Sequence, residues 1–426
     1  MNKLYLIGIL LLFTWSCTTN YPNIPQPYHS LLDSALVKAG NNAPEMEKAL
    51  AESAKEQKEG MAFLISYMPE RDLTTLTADF LLENVDYAYK ARDKYSWCAK
   101  LPDSVFFNEV LPYANVSEDR DVWRKDFYER FAKYADNSDN MVEAIMSIAR
   151  NIKDEVDVEY NPKRSRVDIS PLQAMKEHMA TCTGLSILLT NAYRAVGIPS
   201  RLAGTAMWTN YKGNHTWSEV WIDGEWQFIE YYPDTLNQSW FVADAGKANP
   251  NNMLHWIYAA SYKPTGIPYY AAVDAPYIMQ VVDTNKLPEH IRPRFQEMKN
   301  EATPEPYIWG HNVTQRYIDI YQESIKNSKL NDDELMANIV VFADEDTSVS
   351  ESRLSCRVDV FEGDENINFG YSPRKTDDMN QFLQLKLKKE SNYRFVVSNP
   401  EKQIKQEFTL VTENTPTQDI QLILTN

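Results

Sequence analysis

Met179-Ala180-Thr181-Cys182-Thr183-Gly184-Leu185-Ser186, running on into Ile187-Leu188-Leu189, and Asn214-His215-Thr216-Trp217-Ser218-Glu219-Val220-Trp221 are the two runs on which the fold turns. Leu185, Leu188, Leu189, Ala192, Tyr193 and Val196 recur at the spacing of one helix face, so the first run predicts a helix with Cys182 in its first turn. A glycine stop and a proline close it at Gly197-Ile198-Pro199. The second run alternates as a strand does, with His215, Trp217, Glu219 and Trp221 on one face and Thr216, Ser218, Val220 and Ile222 on the other. Asp223-Gly224 then reads as a tight turn into a second strand, Trp226-Gln227-Phe228-Ile229-Glu230.

Those residue types imply a chemistry. A thiol attacks as the thiolate, and the unpaired N–H groups and macrodipole of a helix N-terminus favour that charge. A histidine on a strand supplies a base, and an acid on the next strand can lie beside it and fix its tautomer. Glu230 is the nearest acid in the hairpin, with Asp234, just past the strand end, as the alternative. Gly184 permits close approach of backbone or substrate. A lone cysteine before an apolar helix is usually a buried small residue, so it is the order and spacing of the set that carries the reading. His178, on the segment approaching Cys182, reads as a surface or packing residue.

This stretch resembles the transglutaminase-like superfamily, the papain-related group that includes peptide N-glycanases and many bacterial proteins. The resemblance rests on Cys182-Thr183-Gly184-Leu185-Ser186, on the segment from Arg194 to Gly204, and on His215 to Trp221 with the Trp226 strand after it; it covers about residues 136–250. It implies that Cys182 is the nucleophile and His215 the base. The family's Asp-Pro has only a loose counterpart in Glu230-Tyr231-Tyr232-Pro233-Asp234: Glu230 takes the third role by spacing, Asp234 by adjacency to the proline. Segments similar to Phe106–Tyr113 precede the core in a bacterial group of relatives, which makes Asn108 a candidate to line the cleft or donate to an oxyanion, against plain helix packing. Papain relatives use an upstream glutamine in that role. Gln173 is the candidate here, though its spacing is not theirs, and the Cys182 backbone N–H is the better donor. Trp208 and Trp217, with Tyr211 and Trp240, either wall a substrate groove or belong to the core.

The rest of the chain sets the context. Its 426 residues can hold two or three domains. A net charge of −17, with no basic stripe, argues against nucleic acid and anionic membrane surfaces as partners. Residues 1–17 read as an export signal: Lys3, an apolar Leu4–Phe13 too short to span a bilayer, then Thr14-Trp15-Ser16-Cys17. The last four resemble a bacterial lipobox, which implies lipidation of Cys17 and an address in the cell envelope, periplasmic or at the cell surface; a plain secretory signal is the alternative. Cys98, Cys182 and Cys356 form no disulfide framework, and the absence of metal-ligand or EF-hand spacings leaves no cofactor, metal or calcium expected.

The fold expected is α+β. A tether and helical region occupy 18–135, with a capped helix start at Asp72, and residues 139–153, with an N-cap signal, form the first helix of the core that follows. The transglutaminase-like, papain-like core comes next at 136–275, its antiparallel sheet packed on the nucleophile helix. A connecting segment with one helix, His311–Lys329, fills 276–332. Short alternating strands from about Met336 predict a small antiparallel sandwich at 333–426, immunoglobulin-like or transthyretin-like, acting as spacer or protein-contact module. The function expected is attack on amide bonds of peptides, proteins or glycopeptides through a Cys182 thioester, with hydrolysis favoured over transfer to amines. A non-catalytic surface lipoprotein that binds peptide or glycan is the rival, with membrane contact only through the anchor.

Overall fold

The computed structural model describes residues 21–231, 235–270, 283–293, 295–296, 308–327, 330–345, 347, 352–375, 377, 381–399 and 403–424. The leader with Cys17, and Asp234, lie outside the described residues. Among those residues no helix is long and apolar enough to cross a membrane.

The N-terminal region is helical, and two buried arginines fasten it to the core. Arg124 donates to the carbonyls of Val110, Leu111 and Pro112 at 2.9, 3.1 and 2.8 Å and to Arg194 O at 3.1 Å. Arg194, on the helix that starts at Cys182, donates in turn to Ala114 O at 3.0 Å and Ser200 O at 2.9 Å. Buried carbonyls without strand or helix partners are satisfied this way. The helix expected to start at Asp72 is two, Glu70–Thr75 and Ala78–Lys94, because Thr77 re-caps the chain by accepting from Phe80 N at 3.3 Å. Asp72 is no cap: its buried carboxylate accepts from Tyr113 Oη at 2.8 Å and Arg120 Nε at 2.9 Å. The predicted 139–153 helix is Met141–Val156, with Asn140 accepting from Glu143 N at 3.0 Å.

Strands β1 (Glu159–Tyr160) and β2 (Met179–Ala180) pair in parallel beside the head of the Cys182–Ala195 helix. That helix ends as its sequence predicts. Gly197, at φ +73°, sends its N–H to Arg194 O at 3.2 Å, and Ile198 N–H reaches Tyr193 O at 3.0 Å, the paired bonds of a Schellman stop. The main sheet contains β3 (Ser200–Thr205), β4 (His215–Ile222), β5 (Glu225–Ile229), β6 (Ile257–Ser261) and β7 (Trp309–Asn312). Its order is β5-β4-β3-β6-β7, antiparallel throughout, with Thr205 opposite His215.

The segment expected only to connect therefore completes the core. It supplies edge strand β7, which includes His311, and the helix Thr314–Asn327. Glu219, without solvent exposure, explains why that helix must dock. Tyr317 Oη accepts from Trp217 Nε1 at 2.5 Å and donates to Glu219 Oε1 at 2.6 Å. Arg201 Nε reaches Glu219 Oε2 at 2.9 Å, and Arg316 pairs with the same carboxylate. The carboxylate thus neutralises guanidinium groups from β3 and from the docked helix.

The C-terminal part is a sandwich of two sheets, with β8 (Glu334–Phe342), β9 (Arg357–Glu362), β10 (Glu365–Tyr371), β11 (Leu383–Lys388), β12 (Asn392–Asn399), β13 (Ile404–Val411) and β14 (Thr417–Ile423). One sheet runs β10-β9-β12-β13 and the other β11-β8-β14. It is not wholly antiparallel, since β14 pairs with β8 in parallel. Ala337, Ile339 and Val341 of β8 face the sandwich core, yet the intervening Asn338, Val340 and Phe342 are buried as well. The sandwich is no free spacer. Lys212 Nζ of the core meets Asp419 Oδ2 of β14 at 2.8 Å, and Asn338 Nδ2 donates to Asp419 Oδ1 at 3.0 Å.

Removing Glu219 strands buried guanidinium charge, a change that costs about 3–5 kcal/mol. Glu219→Ala is expected to lower the urea midpoint accordingly with the m-value unchanged, and Glu219→Gln to lower it less. A midpoint equal to that of the parent chain contradicts the network.

Candidate active site

Cys182 is the first residue of its helix, behind Thr181, and is half-buried with a free thiol. The amides of this first turn lack i−4 acceptors and carry the positive end of the helix dipole. The same side of the helix is stapled to β4 by small hydroxyls. Thr183 Oγ1 pairs with Thr216 Oγ1 at 3.1 Å, Ser186 Oγ donates to Thr216 O at 3.1 Å, and Thr190 Oγ1 pairs with Ser218 Oγ at 3.0 Å. Side chains this short bring helix and strand close. Gly184 contributes differently from the sequence expectation: a Cβ there would stand 2.6 Å from Ile169 Cγ2 and 2.9 Å from Ala180 Cβ, so its close approach is to the core.

His215 opens β4 and is buried. Its Nε2 lies 2.6 Å from Glu230 Oε1, and Glu230 Oε2 accepts from the Ser239 hydroxyl. Glu230 directly succeeds the last residue of β5 and stays partly exposed. The chain returns over β5 because Asn237 exchanges bonds with the Phe228 backbone: Phe228 N donates to Asn237 Oδ1 at 2.9 Å and Asn237 N to Phe228 O at 3.0 Å. That return sets Trp240 and Phe241 against the imidazole, at centroid distances of 4.6 and 5.2 Å, beside Trp217 of β4 at 5.7 Å. Tyr270 Oη donates to His215 O at 3.0 Å. Gly204 makes room for it, since a Cβ there would collide with the phenol oxygen. Burial pushes the Tyr270 phenol well up, and the nearby Cys182 adds to this, so it stays protonated.

Cys182, His215 and Glu230 line one cleft of about 1060 Å³, together with Tyr160 and Trp240. The other sequence candidates lie elsewhere. Trp208 and Trp217 are 1% and 0% exposed and stack at 6.3 Å; Trp217 backs the histidine from the core. Asn108 is tied to Glu109 Oε1 at 2.7 Å and to Lys263 N at 2.8 Å, away from the cleft. Gln173 donates to Glu177 Oε1 at 2.6 Å beside a separate hollow of about 350 Å³. Exposed His178 pairs with Asp157 at 2.9 Å. Among the described residues, no group of three or more His, Cys, Asp and Glu side chains is placed to hold a metal ion. Sequence reasoning missed Ser239 and Tyr270. Neither had a motif to mark it; the hydroxyl row at Thr183, Ser186 and Thr190 was visible at helical spacing.

A further acid stands where core and sandwich meet. Asp244 is buried, accepts from Asn210 Nδ2 at 3.2 Å, and is pushed up to about 6 by burial and then by Asp419. A carboxyl raised in the folded state binds protons the unfolded chain has released. Stability from it is fully present below its unfolded pKa of about 3.9 and is lost as pH rises to about 6. Asp244→Asn is therefore expected to match the parent near pH 4 and exceed it above pH 6, by up to about 3 kcal/mol. Melting temperatures across that range test it; a constant difference contradicts it.

A sequence profile of the transglutaminase-like superfamily matches residues 129–231. None of the curated proteins matches the chain. Of solved structures, 11 chains match. One of them, the crystal structure of a candidate cysteine protease from Cytophaga hutchinsonii, is 23% identical over 26% of this chain and 36% of its own, with a TM-score of 0.22. The present chain thus spans about a third of that structure.

Proposed function

We propose that this chain, which carries a transglutaminase-like domain at residues 129–231, is a thiol enzyme that cleaves amide bonds in peptides or glycopeptides. The 2.6 Å bond between His215 Nε2 and Glu230, in the cleft that Cys182 also lines, carries this reading. Glu230 holding Nε2 assigns Nδ1 to the thiol. Cys182 gives its proton to Nδ1, and the thiolate attacks the amide carbonyl carbon. As the tetrahedral adduct collapses, the C–N bond breaks and the imidazolium protonates the leaving amine, leaving a thioester. His215 then takes a proton from water, whose oxygen attacks the thioester; the carboxylic acid departs and the thiol is restored. First-turn amides of the Cys182 helix are the natural donors to the oxyanion.

Hydrolysis is favoured over transfer, because water is abundant. Export, and anchoring through lipid on Cys17, belong to the same proposal and rest on the leader pattern.

The pH dependence of iodoacetamide alkylation at Cys182 tests it. The intact protein is expected to label rapidly well below pH ~8.5, the ordinary thiol value. His215→Ala should abolish the low-pH labelling. Glu230→Gln should lower turnover by up to about 10⁴-fold, as loss of the orienting carboxylate does in comparable triads. An ordinary thiol profile, the same in the parent chain and in His215→Ala, sinks the enzyme reading and leaves a peptide- or glycan-binding surface protein.

A further inference from the structure

Two parts of the chain bound the catalytic cleft. Tyr160, Ser186 and the catalytic set stand on one side; Met336 of β8, Gln384 of β11 and Thr417 of β14 stand on the other. Those three come from adjacent strands of one sheet: Thr417 is the register partner of Met336, and Gln384 that of Asn338. Met336 alternates with residues of the sandwich core and so points outward. The Lys212–Asp419 contact, with Asn338 behind it, fixes this sheet against the core.

The join reaches the histidine through one side chain. The Trp240 ring sits 4.6 Å from the His215 ring and 6.4 Å from that of Phe382, and its carbonyl accepts from Gln384 Nε2 at 3.4 Å. The cleft between the walls, about 1060 Å³, lies at the top of the about 300–1,000 Å³ that small-molecule sites occupy. Its lining combines apolar Met336, Ile320 and Trp240 with the amide of Gln384 and the hydroxyl of Thr417. Such a mixture receives both the backbone amides and the side chains of an extended chain.

We infer that the C-terminal sandwich is the far wall of the acyl-donor site, with Met336, Gln384 and Thr417 holding the part of a peptide substrate remote from the scissile bond. This rests on the thiol-enzyme reading and narrows its substrate class. A peptide of several residues, which engages both walls, is the donor, and a single amino-acid amide, with no residues to lay on the sheet, is a poor one.

The test compares iodoacetamide with a mixed library of iodoacetyl-capped pentapeptides on the full chain, reading alkylation of Cys182 by mass spectrometry. The parent protein is expected to react faster with the peptide reagents. Met336→Ala and Thr417→Val should each cut that preference about fivefold or more, as truncation of a binding side chain does, while the iodoacetamide rate holds. Where melting shows one of the two to be misfolded, the other is read. No preference in the parent, or the same preference in folded variants, overturns the inference. An ordinary iodoacetamide pH profile defeats the thiol-enzyme reading separately, and the ratio of the two reagents is read regardless.

Discussion

Strand β4 has no solvent face over most of its length, and the surrounding architecture answers to that constraint. A strand covered on both sides must satisfy every polar side chain it carries from within the protein. The hydroxyls of Thr216 and Ser218 are met by Thr183, Ser186 and Thr190 of the Cys182 helix. On the other face, Glu219 gathers Arg201, Arg316 and Tyr317. His215 is held at the end of this strand by the packing of both layers. Its ring is pre-positioned by a rigid element, the condition that efficient proton transfer requires.

The acid partner is set by the same geometry. Glu230 lies just beyond β5, where an aspartate would be shorter by one methylene, and its carboxylate reaches Nε2 from the strand end. Ser239 engages the second oxygen, which limits rotation of the carboxylate. Aromatic rings close the remaining sides of the imidazole, so little of it meets water. Electrostatic interactions in such a setting are screened less than at the surface.

The local features were legible in the sequence because short-range rules govern them. Cys182 at a helix start, the Gly197 stop and the alternation that delivers His215 and Glu230 all come from spacing and turn chemistry. The features that stayed hidden depend on contacts distant along the chain. Trp217 could equally have walled a groove; it is buried by Trp208, Phe241 and Tyr317, the last from a helix assigned to a connector. The strand β7 was missed because Trp309-Gly310-His311-Asn312 has no alternating apolar pattern. Edge strand β10 was missed although Ile367, Phe369 and Tyr371 alternate along it: those side chains are exposed and join no core that would mark the strand. Gly184 signalled a close approach, but the partner in that approach was Ile169. Thr77 outcompeted Asp72 as a cap because Asp72 was already required by Tyr113 and Arg120.

The sheet order β5-β4-β3-β6-β7 also bears on how the chain reaches its native state. The last edge strand and the helix that satisfies Glu219 and Trp217 arrive more than 80 residues after β4 in synthesis order, at Trp309–Asn312 and Thr314–Asn327. Until then, β6 has no outer neighbour and the buried Glu219 carboxylate lacks Arg316 and Tyr317. Contacts of such long sequence separation form slowly, and an unpaired strand edge is open to mispairing. The sheet therefore cannot be completed as its residues emerge in order, and a chain interrupted before Trp309 would leave the edge of β6 bare and Glu219 short of counter-charge.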